Sequence, residues 1–479
     1  MPGSPATLHL TVTGAKGRPL AFRAEVFRGS ERVAAIWNDT GSQQFAVTPD
    51  ADALIVRHGF DYDAVELRLG LSPGETRERK VSLRRRFDAK ALGWYCGESH
   101  MHGMHSKSDT PASFADGARL AAADGLDYLQ IGFAWEPSFS WPTGEHLNAW
   151  AAEASTSEVT ILWNCETPKG YMGEDDGGEK GNLHCYGHGL SYGLKDISKG
   201  QEFFFTGPNF KVMQEIRRQG GVTVCAHPLR FWFNKGNFVS NWASELPFDF
   251  VAGVPYAGVD IFNDSPLLFF QSEHLWWNLL NLGYRVSGTA NSDGNLNGWQ
   301  GVGRFRTYTK IHGPFSIEKV IEALENGACV ASSGPFVLFE VDGRDPGAEF
   351  PADGKSHEAT IRAWGGPLPG ESLVSVQLVR NGEIVRAWDL HDQNERQWAT
   401  SMTLSDREYA WYAVRVAARS KNRESVAHWG TNLYEVAVAN PVYFLPAGFE
   451  RPRGLWRHGE PPGARRSREG PRWHGHCCG

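Results

Sequence analysis

The stretch Gly97-Glu98-Ser99-His100-Met101-His102-Gly103-Met104-His105 decides how the rest of the chain is interpreted. It follows the apolar residues 92–96, which predict a strand. Side chains alternate along a strand, so His100 and His102, which are separated by one residue, point to the same face. Two imidazoles on one face can bind one divalent metal ion. A polar loop with incidental histidines is the alternative, but the spacing after a strand favours a metal site.

Three further apolar runs end in residue types that bind metal ions. They are 162–165, closed by Glu166; 222–226, closed by His227; and 287–290, followed shortly by Asp293. Between residues 91 and 335 such runs alternate with helical stretches, which indicates parallel β/α architecture. A length of about 245 residues suits a β/α barrel, in which the carboxyl ends of the strands converge at one mouth. We therefore expect these side chains to lie together.

Two more histidines, His184 and His188, follow the acidic, glycine-rich stretch 173–178. His184 is the remaining candidate for the same site, and His188 lies four residues further on. The alternative is that both are histidines of a surface loop.

The regions on either side of this unit have a different pattern. Residues 1–90 and 336–445 contain short runs with period two, broken by glycine, aspartate and proline, which is typical of antiparallel sandwiches. Residues 446–479 are rich in arginine, glycine and proline without periodicity, and we predict that they are disordered. The predicted fold class is α/β: a distorted (β/α) barrel at 91–335 flanked by two small β-sandwich domains. Within the barrel, strands are predicted at 128–133, 159–163, 222–226, 250–254 and 284–287, and helices at 111–123, 209–219 and 317–326.

Composition limits the class of protein and its partners. Of 479 residues, 41% are hydrophobic and 22% charged, with a net charge of −7, which argues against a nucleic-acid binder. No apolar run reaches 18 residues, so neither a spanning helix nor a membrane partner is expected. Residues 1–6 have no basic region with an apolar run after it; no signal peptide is visible, and a cytoplasmic location is the default expectation. Five of seven cysteines are isolated, which favours a reduced compartment. The expected partner is a small-molecule substrate.

Taken in order, these motifs resemble the PHP (polymerase and histidinol phosphatase) metallohydrolase domain, in its carbaryl-hydrolase-like (CehA/McbA) subgroup. The family pattern is Gly-Asp-Leu-His-x-His, Leu-Asp-x-x-x-x-Thr-Asp-His, a strand-end Glu, a His before a Gly, Ala-His-Pro and Ser-Asp-x-His. The matching segments are 97–102, 126–134, Glu166, His184, 226–228 and 292–295, with flanking matches at 93–95, 260–263, 304–308 and 333–336. The resemblance covers residues 7–445, and its specific motifs lie within 97–335.

The departures from the pattern concern one part of the site. Gly132-Phe133-Ala134 replaces Thr-Asp-His, and Asn295 replaces the last histidine; in the family these histidines help to hold a third metal. The resemblance therefore implies a two-metal site. The ligands it implies are His100, His102, Glu166 and Asp293 for one metal, and Glu166, His184 and His227 for the other. Zinc or manganese is expected first, with iron as the alternative. Glu98 replaces the leading aspartate.

The activity that this resemblance implies is metal-dependent hydrolysis. A hydroxide bridging two metals, with Glu166 as the bridging ligand and Asp293 in the same catalytic set, would attack a phosphoryl or carbonyl centre. The bond is a phosphoester or a carboxylic ester, amide or carbamate. Candidates for the acid that protonates the leaving group are His188, His105, Tyr186 and Arg304. Arg304 is alternatively a clamp for phosphate or carboxylate, or a member of a surface ion pair.

Phe133 and Trp135, where the second motif is lost, would make the pocket more apolar, which favours a substrate with an apolar part.

Two other hypotheses about the function remain open. The same loss is also compatible with a catalytically degenerate barrel that binds a ligand such as a carbohydrate. A weaker hypothesis is that the sandwiches attach the protein to a cell surface.

Overall fold

The computed structural model describes residues 4–104, 112–133, 144–164, 166–167, 188–197, 209–228, 232–234, 237–239, 256–262, 269–296, 301–421 and 434–452. In these residues the α-helices are Phe114–Ala123, Gly144–Ala154, Asn209–Arg218, Phe269–Asn281 and Ile317–Asn326. Short 3-10 helices lie at Ala15–Gly17 and Lys90–Leu92.

The strands of the N-terminal region are β1 (Ala6–Thr13), β2 (Phe22–Arg28), β3 (Glu31–Asn38), β4 (Ser42–Val47), β5 (Ala53–Arg57), β6 (Val65–Arg68) and β7 (Thr76–Ser82). They form two sheets with the orders β4-β1-β7 and β3-β2-β5-β6. Alternation explains the packing, because Leu8, Leu10 and Val12 are fully buried while the residues between them are half-buried. These side chains share one apolar core with residues of the second sheet such as Ala24 and Val56. Two sheets around a shared core agree with the predicted sandwich.

The remaining strands follow in chain order. They are β8 (Trp94–Met104), β9 (Tyr128–Phe133), β10 (Thr160–Asn164), β11 (Glu166–Thr167), β12 (Gly189–Tyr192), β13 (Val222–Cys225), β14 (Trp232–Asn234), β15 (Asn237–Val239), β16 (Gly258–Phe262), β17 (Ser287–Ala290), β18 (Gly294–Asn295), β19 (Arg306–Lys310), β20 (Cys329–Ser332), β21 (Phe336–Val341), β22 (Glu349–Pro351), β23 (His357–Trp364), β24 (Leu373–Arg380), β25 (Glu383–Asp389), β26 (Gln397–Leu404), β27 (Ala410–Arg419) and β28 (Tyr434–Leu445). The predicted strand at 284–287 begins only at Ser287, because residues 282–284 still belong to the turn that ends a helix. The predicted strand at 250–254 lies outside the described residues.

Two sheets build the region that was predicted to be a barrel. One has the order β10-β9-β8-β19-β20-β28-β27-β24-β25, with β18 beside β8 and β22 beside β28; the other has the order β11-β12-β13-β16-β17. The mixed α/β organisation is confirmed. The described strands do not form one closed, hydrogen-bonded barrel, because β8–β19–β20 and β11–β12–β13 are antiparallel and interrupt the parallel βα alternation.

Side chains connect the two sheets where backbone pairing is missing. The Asn440 amide donates to the carbonyls of Gly288 and Cys329 at 2.9 and 3.0 Å, and its oxygen accepts from the Gly288 N–H at 2.7 Å. The Thr307 hydroxyl accepts from the Ala290 N–H at 2.9 Å and lies 3.1 Å from the Ala290 carbonyl. Each polar side chain therefore satisfies backbone groups of β17 that would otherwise lack a partner strand.

The large sheet continues into the C-terminal region. Strand β20 pairs with β28, and the order continues from β28 through β27 and β24 to β25, so the sheet crosses the boundary predicted at residue 335. A second sheet, β21-β23-β26, shares an apolar core with it. Residues 446–452 pack on this unit although they belong to the predicted tail: Phe449 stacks on Tyr409 at 4.7 Å, and Arg451 pairs with Glu349 at 2.7 Å. Residues 453–479 lie outside the described residues.

A buried ion cluster joins the N-terminal sandwich to the central region. Asp124, at the end of the first helix, accepts from the Arg23 guanidinium at 3.2 Å and from the Trp37 indole N–H at 3.2 Å. Glu25, which is fully buried, lies 2.6 Å from the guanidinium of Arg57 and 3.6 Å from that of Arg23. Breaking such a pair would leave an uncompensated buried charge, so the cluster fixes how the sandwich meets that helix.

Two expectations from composition can be compared with the structure. Within the described residues, no helix combines the length and the apolar character needed to cross a bilayer. The described cysteines Cys96, Cys225 and Cys329 are buried and carry free thiols.

Replacing Gly97 by alanine tests the close packing beneath the His-x-His strand. A Cβ on Gly97 would lie 2.1 Å from Cζ of the fully buried Tyr128 ring. Because neither β8 nor this ring can move without disturbing the core, Gly97→Ala should lower the free energy of unfolding by about 3 kcal/mol. Chemical denaturation measures this. Gly14→Ala is the matched control, since its Cβ would have no neighbour nearer than 3.5 Å. Equal stability of the two variants would contradict the packing described.

The buried Glu435 should make stability depend on pH. Burial, reinforced by the neighbouring Glu371 carboxylate, raises the pKa of Glu435 to about 7, against 4.5 for an ordinary glutamate; Ser333, Ser420 and Arg304 act in the opposite direction. A raised pKa means that the stabilisation is complete below pH 4.5 and is lost as pH rises through 7.

Glu435→Gln should therefore be more stable than the wild type at pH 8 by about 3 kcal/mol, and equal to it near pH 4.5. Denaturation curves across this range are the measurement, with the exposed Glu383→Gln as the control for loss of one charge. A constant difference between Glu435→Gln and the wild type at every pH would show that Glu435 does not titrate in this range.

Candidate metal centre

The His-x-His motif lies in an irregular part of β8. Strand β8 pairs with β9 at Glu98 and again at Met101, with a break of register between them. His100 and His102 are both buried, with ring centroids 5.3 Å apart. Because one residue separates the two histidines, both imidazoles point into the same space, as the sequence predicted.

Glu166 forms the centre of the cluster. Its Oε1 lies 2.7 Å from Nδ1 of His188, 2.9 Å from Nε2 of His227 and 3.4 Å from Nε2 of His100. Its Oε2 lies 3.6 Å from Nε2 of His102. The end of β13 and the start of β12 bring His227 and His188 to this point because those strands are antiparallel neighbours. One buried carboxylate therefore faces four imidazoles.

Asp293 is the second carboxylate of the cluster. Its Oδ1 lies 3.1 Å from Nε2 of both His100 and His102. Asp293 and His227 have φ angles of 50° and 24°, in the left-handed region that side chains with a Cβ rarely adopt. Such backbone strain costs of order 1–3 kcal/mol for each residue and persists where the surroundings determine the conformation. Two strained residues in one buried cluster indicate that their side-chain positions matter.

The donor set fits divalent metal ions. Among the described residues, two groups of three have ligand atoms within 4.8 Å of one another, namely His100, Glu166 and His227, and His100, His102 and Asp293. Imidazole together with carboxylate is a combination that zinc and other first-row metals accept. His100 belongs to both groups, so the two candidate sites are adjacent.

Electrostatics around His100 couple protons to metal binding. Burial lowers the pKa of His100, but the carboxylates of Asp293 and Glu166 raise it, and the net shift is upward. An imidazole must be neutral to bind a metal ion. Metal binding at this centre would therefore release a proton, and it would weaken as the pH falls.

Buried polar residues next to the cluster hydrogen-bond to the backbone that carries the ligands. Glu98 is fully buried and accepts from the Ser292 N–H at 2.8 Å, the Ser292 hydroxyl at 2.5 Å and the His100 N–H at 3.2 Å. Burial raises the pKa of Glu98 to about 8. The Glu98 side chain thus connects the backbone that carries His100 with the backbone that carries Asp293.

The structure brings together five of the six predicted ligands: His100, His102, Glu166, His227 and Asp293. The sixth, His184, lies outside the described residues, as do His105, Tyr186 and Trp135. His188, predicted as a candidate for the acid that protonates the leaving group, lies with its Nδ1 2.7 Å from Glu166 Oε1. Arg304 lies over the Phe305 ring at 5.1 Å and lowers the pKa of Glu435, so its part in the reaction stays a prediction.

Sequence reasoning missed the role of Asp260 and Asn291 among the buried polar residues next to the cluster. Both are fully buried, and Asp260 accepts from the Asn291 amide at 2.6 Å. The signal that could have identified Asp260 is an acidic residue inside the apolar run 258–262, since an ionised group in a strand buried on both faces needs specific partners.

The sequence matches no family model, and it matches no curated protein. Among solved structures, the chain is similar to a two-domain protein from Bacteroides vulgatus ATCC 8482 containing a predicted PHP-like metal-dependent phosphoesterase, with 12% identity, 67% of this chain and 90% of that chain covered, and a TM-score of 0.35. An engineered protein aligns with 12% identity over 70% of this chain and 80% of its own, with a TM-score of 0.16. Because both TM-scores are low, neither alignment supports an inference about the function of this chain. The function proposed below rests on the geometry of the site.

A metal ion should stabilise the protein through Glu166. With chelator-treated protein, free Zn²⁺ or Mn²⁺ at about 100 times its dissociation constant should add about 2.7 kcal/mol to the free energy of unfolding. Thermal unfolding with and without metal measures the shift, which should disappear in Glu166→Gln. The exposed His391→Ala is the matched control and should keep it. An undiminished shift in Glu166→Gln would place the bound metal elsewhere.

Proposed function

We propose that this chain is a metal-dependent hydrolase of the PHP type, with a two-metal centre that cleaves a phosphoester or a carboxylic ester, amide or carbamate. The observation that supports it is the buried Glu166, whose Oε1 faces His188 and His227 while its Oε2 faces His102, so that both ligand groups share this carboxylate. Two separate binding sites would have no reason to share a side chain. Adjacent ions, by contrast, are the arrangement used for hydrolysis at phosphoryl and carbonyl centres.

The residues divide into two ligand sets around Glu166. We assign His102 and Asp293, with His100, to one ion, and His227 and His188 to the other. Glu166 would help to hold both ions, since its two oxygens face imidazoles of both sets. We assign His188 to the second ion because its Nδ1 lies 2.7 Å from Glu166 Oε1. His184, which the resemblance implies as a ligand there, lies outside the described residues.

The chemistry of such a centre has one part from the metals and one from the chain. When bound, two divalent ions lower the pKa of a water molecule and act as Lewis acids toward the attacked group. Glu166 and Asp293 hold the negative charge that fixes both ions, and they are buried, which excludes competing water. The Glu98 carboxyl, within hydrogen-bond distance of the His100 backbone N–H, keeps the shared ligand in place.

Metal content per chain tests the proposal. Protein purified without chelator should contain about two equivalents of zinc, manganese or iron by plasma mass spectrometry, with most of it lost in Glu166→Gln. His188→Gln should retain about one equivalent, because the set around His102 and Asp293 stays complete. Hydrolysis of chromogenic phosphate esters, carboxylic esters and carbamates should fall at least a hundredfold in Glu166→Gln, with His391→Ala as the control.

The outcomes distinguish the hypotheses. Near-zero metal after supplementation would contradict the hydrolase and leave the ligand-binding barrel in first place. Three equivalents would mean that the third metal site is rebuilt by other residues. The substrate series decides between phosphoester and carboxylic derivatives.

A further inference from the structure

Asp260 accepts two short hydrogen bonds in the interior of the five-stranded sheet. Its Oδ1 lies 2.6 Å from the Thr289 hydroxyl and 2.6 Å from the Asn291 amide nitrogen. Asp260 is fully buried on β16, and Thr289 is its register partner on β17. Both of these hydrogen-bond partners lie outside the proposed ligand set.

Asn291 carries this connection to the other sheet. Its side-chain amide oxygen accepts from the Ser99 N–H at 2.7 Å, and its backbone N–H donates to the Phe262 carbonyl at 3.1 Å. Ser99 immediately precedes His100 on β8. One buried side chain thus links β16 to the backbone that carries the shared imidazole.

The Asn291 side chain binds the backbone of β8 at a point where pairing with neighbouring strands is interrupted. The pairing of β8 with β9 is interrupted between Glu98 and Met101, and its pairing with β19 ends at Gly97. Ser99 and His100 lie within that interval. The Ser99 N–H is consequently bound by the Asn291 side chain in place of a neighbouring strand.

The chemistry at both ends fixes the orientation of the Asn291 amide. A carboxylate only accepts hydrogen bonds, so the amide nitrogen must face Asp260. A backbone N–H only donates, so the amide oxygen must face Ser99. If residue 260 were an asparagine, it could present its own NH₂ group, and the Asn291 amide could turn and leave the Ser99 N–H without an acceptor.

We propose that Asp260 is a positioning residue of the metal centre, which acts through Asn291 and Ser99 to place His100. The inference rests on the proposed function, because it assumes that His100 binds metal. It assigns a role in metal affinity to a residue outside the proposed ligand set.

Zinc affinity and unfolding, measured on the full chain, separate positioning from simple packing. Competition with a chromophoric chelator should show Zn²⁺ binding about tenfold weaker in Asp260→Asn than in the wild type. Ser287→Ala is the matched control: it also removes one short hydrogen bond of a buried β17 side chain, from its hydroxyl to the Leu324 carbonyl at 2.6 Å, but away from the centre. It should lower the unfolding temperature and leave zinc affinity unchanged.

A reciprocal variant tests the polarity of the link. In Asp260→Asn with Asn291→Asp, residue 260 can donate to residue 291, which can still accept from the Ser99 N–H. The double variant should recover most of the zinc affinity lost in Asp260→Asn. Asn291→Ala breaks the link from its other end, and it should show the same loss if Asp260→Asn does not fold.

Each result decides one hypothesis. Wild-type zinc affinity in Asp260→Asn, or in Asn291→Ala if that is the variant that folds, would overturn the positioning role and leave the proposed function intact. Failure of the double variant to recover affinity would overturn the orientation argument. If the wild-type protein binds neither zinc, manganese nor iron, the proposed function fails and this inference fails with it.

Discussion

Burial of the Glu166 and Asp293 carboxylates among imidazoles is the constraint on which the rest of the structure depends. Each carboxylate keeps only 5% of its residue surface exposed. Removing an ionised carboxylate from water costs several kcal/mol unless compensating charge and hydrogen bonds lie close by. Here that compensation must come from imidazoles, or from metal ions that the same atoms would hold. The residues that carry them come from strands far apart in sequence, so several strand ends must meet at one point.

That requirement explains features that local preference would not produce. His227 and Asp293 adopt left-handed backbone angles at the ends of their strands. The pairing register of β8 with β9 breaks beside His100, and the Asn291 side chain accepts the hydrogen bond from the Ser99 N–H in place of a neighbouring strand. Asn440 and Thr307 supply hydrogen bonds to β17 that a neighbouring strand would supply in a regular barrel. Irregular backbone thus surrounds the charged cluster, and buried polar side chains satisfy the groups that it frees.

The flanking regions are coupled to this centre by the same kind of buried polar contact. Asp124 ends the helix that precedes β9, and Arg23 and Trp37 of the N-terminal sandwich bind its carboxylate. On the C-terminal side the coupling is stronger, because β28 extends the sheet that contains β8 and also carries Asn440. The C-terminal strands are therefore a continuation of the central sheet as well as one layer of a sandwich.

The sequence by itself determined the elements whose cause is local. The helix at 317–326 and the strand at 128–133 follow from periodicity, and the His-x-His spacing places two imidazoles on one face whatever the fold. Strand-end positions also indicated that Glu166, His227 and Asp293 would meet. Only the tertiary structure decided that antiparallel strands interrupt the predicted barrel, that His188 lies against Glu166, and that Asp260 supports His100 through Asn291. These depend on pairing between segments distant in the chain, and a hydrogen bond across 192 residues, such as that from Ser99 to Asn291, leaves no periodic signal in the sequence.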